Sequence, residues 1–273
     1  MSKQIPAAPG RRPESAAVLA LEVLRSQRVS PHFTRVTLGR GDIAGVVPRG
    51  FDQSLRLFIP PPGGSLAGVP TTTGLRSYLR YLALSRADRP LMRSYTVREH
   101  RVDGAHGPEI DLDLVVHELP DGRLAPAARW AETCAPGDAV AVLDQGIGFA
   151  PPSGLRRVAL VADETGLPAL AAILAGLAPD TQGHALIEVP SVADRREIVA
   201  PAGVGVTYVV RDDPRARPGV AVLAAAMGRP LPDEPFFGWV VGEQALASRL
   251  RRHWIAAGVP REHVAFCGYW RAR

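Results

Sequence analysis

The feature that most constrains this chain is a change of patterning at Pro151-Pro152-Ser153-Gly154. Before it, apolar residues alternate with others in short runs. Leu19, Leu21 and Val23 alternate with Ala20 and Glu22, and Leu55, Leu57 and Ile59 with Arg56 and Phe58. Ile110, Leu112 and Leu114 alternate with Asp111 and Asp113. Period two indicates half-buried strands, because successive side chains of a strand point to opposite faces. Several such strands between Gly/Pro breaks suggest a barrel or sandwich. Pro60 to Gly64 opens an insertion that runs to about Arg89, with a short helix expected around Leu75 to Ser85.

After the break the period changes. Arg157 to Ala162 is a continuous apolar strand. The helix after it carries Leu167, Leu170, Ile173, Leu174 and Leu177 on one face and Pro168 in its first turn. Strands at Ala185 to Val189 and Val206 to Val210, a helix at Val220 to Met227 and a strand at Phe237 to Val241 come next. A helix at Ala245 to Ala257, with Leu246, Leu250, Trp254 and Ala257 on one face, precedes a last strand at His263 to Cys267. Buried strands alternating with helices predict a parallel sheet covered on both faces. The expected architecture is an antiparallel β-barrel over residues 16–152, then a doubly wound parallel sheet over 153–273. Residues 1–15, polar and rich in Pro and Gly, are expected to be a disordered lead. Such a pairing places a cleft between the domains, with ligands of the second domain at the carboxyl ends of its strands.

Composition removes several function classes. The two cysteines, Cys134 and Cys267, form no Cys-x-x-Cys pair, so neither an iron–sulfur cluster nor a thiolate zinc site is expected. The net charge of +5 is carried by dispersed arginines, Lys3 being the single lysine, which argues against nucleic acid. That balance still suits anionic small molecules. The N-terminus has no signal-peptide pattern, and no apolar run reaches the roughly 20 residues of a membrane span. A soluble cytoplasmic protein is expected, and its two cysteines fit a reducing compartment.

The strongest local motif is Arg93-Ser94-Tyr95-Thr96. On a strand it puts Arg93 and Tyr95 on one face, with Ser94 and Thr96 on the other. The arginine fork suits a phosphate and the tyrosine ring suits stacking on a ring system. The plainer reading is a barrel strand with a surface Arg and a core Tyr. Downstream, Ala125-Pro126-Ala127-Ala128 opens a short helix, whose free N-terminal amides suit a pyrophosphate.

With these pieces in order, the chain resembles the siderophore-interacting protein family, FAD-dependent ferric-siderophore reductases of the ferredoxin-reductase-like superfamily. The resemblance runs from Leu19 to Arg271. It includes Ser30-Pro31-His32-Phe33-Thr34-Arg35-Val36-Thr37, Arg89 to Arg98, Asp163-Glu164-Thr165-Gly166-Leu167-Pro168-Ala169, Gly242-Glu243 and Gly268-Tyr269-Trp270-Arg271.

The resemblance implies that the barrel binds FAD and the α/β domain binds NADPH or NADH. Arg93, Ser94, Tyr95 and Thr96 would hold the flavin, with Arg93 at the phosphates, Tyr95 against the ring and Thr96 near its reactive edge. His117 falls where the family ends the next strand beside the cofactor, and it reads equally as a turn histidine. Ala125, Pro126, Ala127 and Ala128 match a family Gly-Pro-Ala-Ser/Thr segment; here Ala125 replaces the Gly and Ala128 the hydroxyl residue. Trp270 is also assigned to the flavin site.

For the nucleotide, the resemblance points to Asp163, Glu164, Thr165, Gly166, Gly242 and Glu243, with Arg195 and Arg196 near a 2′-phosphate. Taken alone, the Asp163 turn reads as a helix cap made by Thr165, and the two arginines read as surface charges. Arg271 and Arg273 are candidates for an anionic ferric siderophore. Cys267 reads as a buried small hydrophobe rather than a redox thiol. The implied reaction takes hydride from NAD(P)H and passes single electrons to Fe³⁺ through the flavin, with no side-chain acid–base pair. Two alternatives stay open. One is a flavoprotein of this fold acting on another acceptor or recruited to natural-product biosynthesis, and the other is a non-catalytic flavin-binding scaffold.

Overall fold

Alternation becomes a closed barrel in the first half. In the computed structural model, which describes residues 17–66, 69, 79, 81–85, 88–119 and 121–272, six strands form it. They are β1 (Val18–Ser30), β2 (Phe33–Gly39), β3 (Ser54–Ile59), β4 (Leu91–Gly104), β5 (Gly107–Val115) and β6 (Ala139–Gly146), in the order β1-β2-β5-β4-β3-β6. Every pairing is antiparallel, and β6 closes on β1 from Val18 opposite Leu143 to Glu22 opposite Ala139. Leu21, Val36, Leu38, Leu55, Leu57, Ile110, Leu112, Val140 and Val142 fill the interior. Each such side chain contributes about 1.5–3 kcal/mol on burial. Residues 1–15 and most of the helix expected at Leu75 to Ser85 lie outside the described residues, and positions 81–83 are helical.

Two outward faces of the barrel are less polar or less solvated than alternation predicts. Phe58, one of the outward residues of β3, is buried in a second cluster with Ala141 and Leu143, against which Leu66, Val69 and Met92 pack. Glu109, Asp111 and Asp113, the outward residues of β5, are buried beneath arginines. Arg25 bonds Glu109 through both nitrogens at 3.0 Å, Arg101 reaches Glu109 at 2.7 Å and Asp111 at 2.8 Å, and Arg35 bonds Asp113 at 2.7 Å. The carboxylates tolerate burial because each accepts charge-assisted hydrogen bonds.

The second half forms a five-stranded parallel sheet in the order β11-β10-β7-β8-β9. Its strands are β7 (Arg157–Ala162), β8 (Gln182–Val189), β9 (Val204–Val210), β10 (Phe237–Glu243) and β11 (Val264–Trp270). The helices fully within the described residues are α1 (Pro126–Thr133), in the barrel unit, then α2 (Leu167–Gly176), α3 (Val220–Met227) and α4 (Gln244–Ala256). Ala159 and Val161 of β7 pack with Val222 and Leu223 of α3 and Leu246, Leu250 and Trp254 of α4. Helix α2 takes no part in that cluster and covers the other face, as right-handed crossovers require. Ala257, expected on the buried face of α4, is exposed as the residue that caps the helix. Gly50–Asp52 also belongs to this unit by its contacts. The Asp52 carboxylate accepts from Gly148 N at 2.9 Å, Phe149 N at 2.8 Å and Trp239 Nε1 at 3.3 Å. Among the described residues no helix is long and apolar enough to cross a membrane.

Candidate functional site

In the barrel, Arg93-Ser94-Tyr95-Thr96 lies in β4 against β3, with Leu57 opposite Arg93, Leu55 opposite Tyr95 and Ser54 opposite Thr96. Tyr95 and Leu91 lean on the interior cluster that contains Val97. Arg93 has the same parity but is exposed, Tyr95 is half-buried and Thr96 is buried. A bulge between Val97 and Glu99 follows, re-aiming the strand after the motif. Burial pushes the Tyr95 hydroxyl up to about 12, with the Arg93 charge acting in the opposite direction. Arg93 Nη1 donates to the Met92 carbonyl at 2.8 Å. It has no carboxylate partner among the described residues, whereas Arg25, Arg35, Arg49 and Arg101 of the same unit all do.

His117 follows β5 within electrostatic reach of Arg93. Its pKa is lowered, first by desolvation of the ring and also by Arg93, while a hydrogen bond with the Val115 backbone acts upward. The chain then turns back on itself, Leu119 N donating to Arg123 O at 2.7 Å, and Ala125 N reaches the His117 carbonyl at 3.1 Å. That return sets the start of α1 beside His117. Pro126 opens the helix, and its first bond is Arg129 N to Ala125 O at 2.8 Å. The amides of Ala127 and Ala128 therefore have no intrahelical acceptor. The structure thus gathers Arg93, Tyr95, His117 and the Ala125–Ala128 turn into one place.

In the α/β unit the chain runs from β7 through β8 to β9 on one side, then crosses to β10 and β11 on the other. The topological switch point lies between β7 and β10, where open α/β sheets bind ligands beyond the carboxyl ends of the strands. Asp163 follows β7 and Glu243 ends β10, so Asp163, Glu164, Thr165, Gly166, Gly242 and Glu243 all meet at this point. Gly166 can only be glycine at this spacing, since a Cβ would sit 2.5 Å from Val241 Cγ2 and 2.7 Å from Ala162 Cβ.

The side chains there do not act as the sequence suggests. Thr165 does not cap a helix; Asp163 caps the turn, its Oδ1 accepting Thr165 N at 2.9 Å and Thr165 Oγ1 at 2.5 Å. A carboxylate one residue before the turn reaches both groups, and Gly166, the residue that precedes α2, has no side chain to offer. Glu164 is buried against Arg211, with bonds of 2.7 and 3.1 Å. Burial and the neighbouring Asp163 charge hold Glu164 up to about 7 despite Arg211. Trp270 ends β11, and its Nε1 donates to Asp163 Oδ2 at 3.1 Å.

Arg195 is exposed, and Arg196 is half-buried with its backbone N–H and carbonyl both bonded to the Tyr208 hydroxyl. Arg271 is exposed, and Arg273 lies outside the described residues. Cys267 is half-buried rather than buried, and desolvation pushes its thiol up to about 11, with the Asp52 charge adding to the shift.

Three residues escape the sequence reading. Arg211, at the end of β9, bridges Glu164 and Glu188, the second at 3.0 Å. Glu188 accepts Gly219 N and Val222 N at 2.9 Å each, closing the start of α3. Arg217 bonds Glu243 at 3.0 Å. A signal existed only for Glu188, a carboxylate inside the apolar run Ala185 to Val189.

Comparisons with known proteins converge on one family. The profile described as "Siderophore-interacting FAD-binding domain" matches residues 22–147, and that described as "Siderophore-interacting protein" matches residues 155–273. The crystal structure of a siderophore utilization protein from T. fusca is 30% identical, with a TM-score of 0.77 over 96% of this chain and 95% of that one. The NADPH-dependent ferric-chelate reductase of Escherichia coli is 28% identical over 93% of this chain and 92% of that protein. An uncharacterized protein of Mycobacterium tuberculosis is 33% identical over 70% of this chain. The match spans 65% of the length of that relative.

Proposed function

Because the chain belongs to the siderophore-interacting protein family, we propose that it is an FAD-dependent reductase that uses NADPH to reduce Fe³⁺ held in a siderophore. The observation that carries this reading is Arg93, an exposed guanidinium with no carboxylate partner among the described residues, whose charge acts on His117, the residue that holds the open N-terminus of α1 through Ala125. An anion satisfies both, because a fork of N–H donors and unpaired helix amides favour phosphate oxygens. The barrel residues therefore fit the dinucleotide that the family profile names. Arg93 and the amides of Ala127 and Ala128 would hold its phosphates. The accessible part of the Tyr95 ring would lie against its flat portion, with Ser94, Thr96 and His117 around it. Bound FAD supplies the exchange between a two-electron hydride and single electrons.

The name of the Escherichia coli relative supports NADPH as co-substrate. The switch point framed by Asp163 to Gly166, Gly242 and Glu243 is the proposed nucleotide site, with Arg195 and Arg196 as partners for a 2′-phosphate. Exposed Arg271, together with Arg273, would attract an anionic ferric chelate from solution. Fe²⁺ carries less charge than Fe³⁺, and hard oxygen ligands release it more readily.

Anaerobic titration of FAD-loaded protein with NADPH, then with NADH, tests the reading. Bleaching of the flavin bands, followed by their return and a ferrous-chelator colour on adding a ferric siderophore, is the expected result. A protein that takes up no FAD, or that bleaches without producing Fe²⁺, would sink the assignment.

A further inference from the structure

A nucleotide pyrophosphate is anionic, yet two carboxylates, Asp163 and Glu243, stand at the switch point where it is proposed to bind. Aimed at the ligand they would repel it. Neither is. Asp163 has no exposed surface, and its two oxygens are spent on four donors. Oδ1 takes Thr165 N and Oγ1, and Oδ2 takes Glu243 N at 2.7 Å and Trp270 Nε1 at 3.1 Å. A carboxylate accepts about four hydrogen bonds, so none is left for a ligand. Glu243 is occupied in the same way. Oε1 takes Arg217 Nη2 at 3.0 Å and Ala272 N at 3.2 Å, while Oε2 takes Ala245 N at 2.5 Å.

These bonds join parts of the chain that sequence keeps far apart. Asp163 ties the β7–α2 turn to the ends of β10 and β11. Glu243 ties the end of β10 to the β9–α3 loop and to the residues beyond β11. The two carboxylates are themselves linked by Glu243 N to Asp163 Oδ2. Gly242, with φ +128, admits the link; a Cβ there would lie 2.5 Å from Asp163 Oδ2.

We propose that Asp163 and Glu243 are positioning residues that clamp the Trp270–Ala272 segment at the β7–β10 switch point and thereby set affinity for the nicotinamide dinucleotide without touching it. The clamp rests on the nucleotide site proposed above. It predicts that the ligand meets backbone N–H groups and the indole at this place, while the carboxylates hold those groups still. It also predicts that Asp163 and Trp270 act as one unit, since the indole's bond to the carboxylate joins them.

The test is a double-mutant cycle on the whole FAD-loaded chain, using Asp163→Asn, Trp270→Phe and the pair. Dissociation constants for NADP⁺ and NAD⁺ are measured by calorimetry, and hydrogen exchange is followed at residues 268–272. Trp270→Phe removes one donor and keeps an aromatic ring, so it reports even if Asp163→Asn does not fold. The expected result is faster exchange of the segment in each variant and a roughly ten-fold or larger rise in the dissociation constant, since each loses a hydrogen bond to a charged group. The double variant should bind no more than about two-fold more weakly than Asp163→Asn. If the unsubstituted protein binds a nucleotide and Trp270→Phe binds it equally well, or keeps its segment equally protected, the clamp is overturned while the nucleotide site stands. If the unsubstituted protein binds neither nucleotide, the nucleotide site fails and the positioning role falls with it.

Discussion

The backbone N–H of Ala125 donates to the carbonyl of His117 at 3.1 Å, and that one bond aligns the end of the β5 strand with the first turn of α1. The alignment brings three polar features together: the Arg93 charge, which acts on both His117 and Tyr95, the histidine ring, and two helix amides with no intrahelical acceptor. None has a strong reason to be there for stability. A surface guanidinium bonded only to its neighbour's carbonyl contributes little to folding, and a helix capped by Ala125 lacks a side-chain acceptor. Together they would form the anion site proposed above for the FAD phosphates.

Arg93→Ala separates binding from folding. Arg93 is exposed and has no carboxylate partner among the described residues, so its loss should change stability by no more than about 0.5 kcal/mol. Its loss from a phosphate contact should weaken FAD binding roughly ten- to hundred-fold, the value of a charge-assisted hydrogen bond. Flavin fluorescence titration and thermal melting of the FAD-free protein measure the two effects. Unchanged FAD affinity would remove Arg93 from the site.

Ala128→Ser should act in opposite directions on the free and loaded protein. Ala128 is 1% exposed, packed with Val116 and Ala125. A hydroxyl there is buried without a partner in the FAD-free chain, which costs about 1–3 kcal/mol. With FAD bound it gains a phosphate oxygen, so affinity should rise by up to roughly ten-fold. The check is a lower melting temperature without FAD and a smaller dissociation constant with it. A variant destabilised equally in both forms would show that the α1 turn does not face the phosphates.

Acid should loosen the barrel through β5. Hydrogen bonding to Arg25 depresses Glu109 to about 2, with Arg101 adding to it against the cost of burial. A depressed carboxylate contributes stability that is fully present above its unfolded pKa, near 4.3. That contribution is lost as pH falls through the folded value. The barrel should therefore lose stability between about pH 4.5 and pH 2, and Glu109→Gln should flatten the loss while lowering stability at pH 7. Melting curves across that range decide it; an unchanged slope in the variant would assign acid sensitivity elsewhere.

Local pattern carried the reading of the elements, and polar pairing escaped it for a physical reason. The strand Arg157–Ala162 and the helix Val220–Met227 have the bounds their apolar runs predict. The parity of Arg93 and Tyr95 follows from period two alone. By contrast, Arg25 and Glu109 are 84 residues apart and Asp163 and Trp270 are 107 apart, so each pair exists only once strand order and register are set. Asp111 and Asp113 look solvent-facing in the sequence because nothing nearby reveals the arginines that cover them. Thr165 looks like a cap because Asp163, the residue that does cap, is also the one that reaches Trp270. Arg211 carries no local mark, since its role depends on Glu188 of β8 and Glu164 of the turn after β7 arriving beside it.

That same triad gives the α/β unit a pH response of the opposite sign. Arg211 is one cation between two buried carboxylates, and Asp163 adds a third negative charge nearby. Desolvation and Asp163 raise Glu164 to about 7, so the folded chain holds a proton there more tightly than the unfolded chain, whose carboxyl titrates near 4.3. Stability linked to Glu164 is thus highest below about pH 4.5 and declines as pH rises through about 7. Glu164→Gln should abolish that decline at modest cost, because a neutral amide still accepts one bond from Arg211. Arg211→Ala leaves Glu164 and Glu188 buried without their cation and should cost about 3–5 kcal/mol. Denaturant unfolding of both variants at pH 6 and pH 8 measures the pair of effects. Should Glu164→Gln prove as damaging as Arg211→Ala at both values, the carboxylates and the arginine would have to be balanced, and the excess of negative charge at this strand edge would not exist.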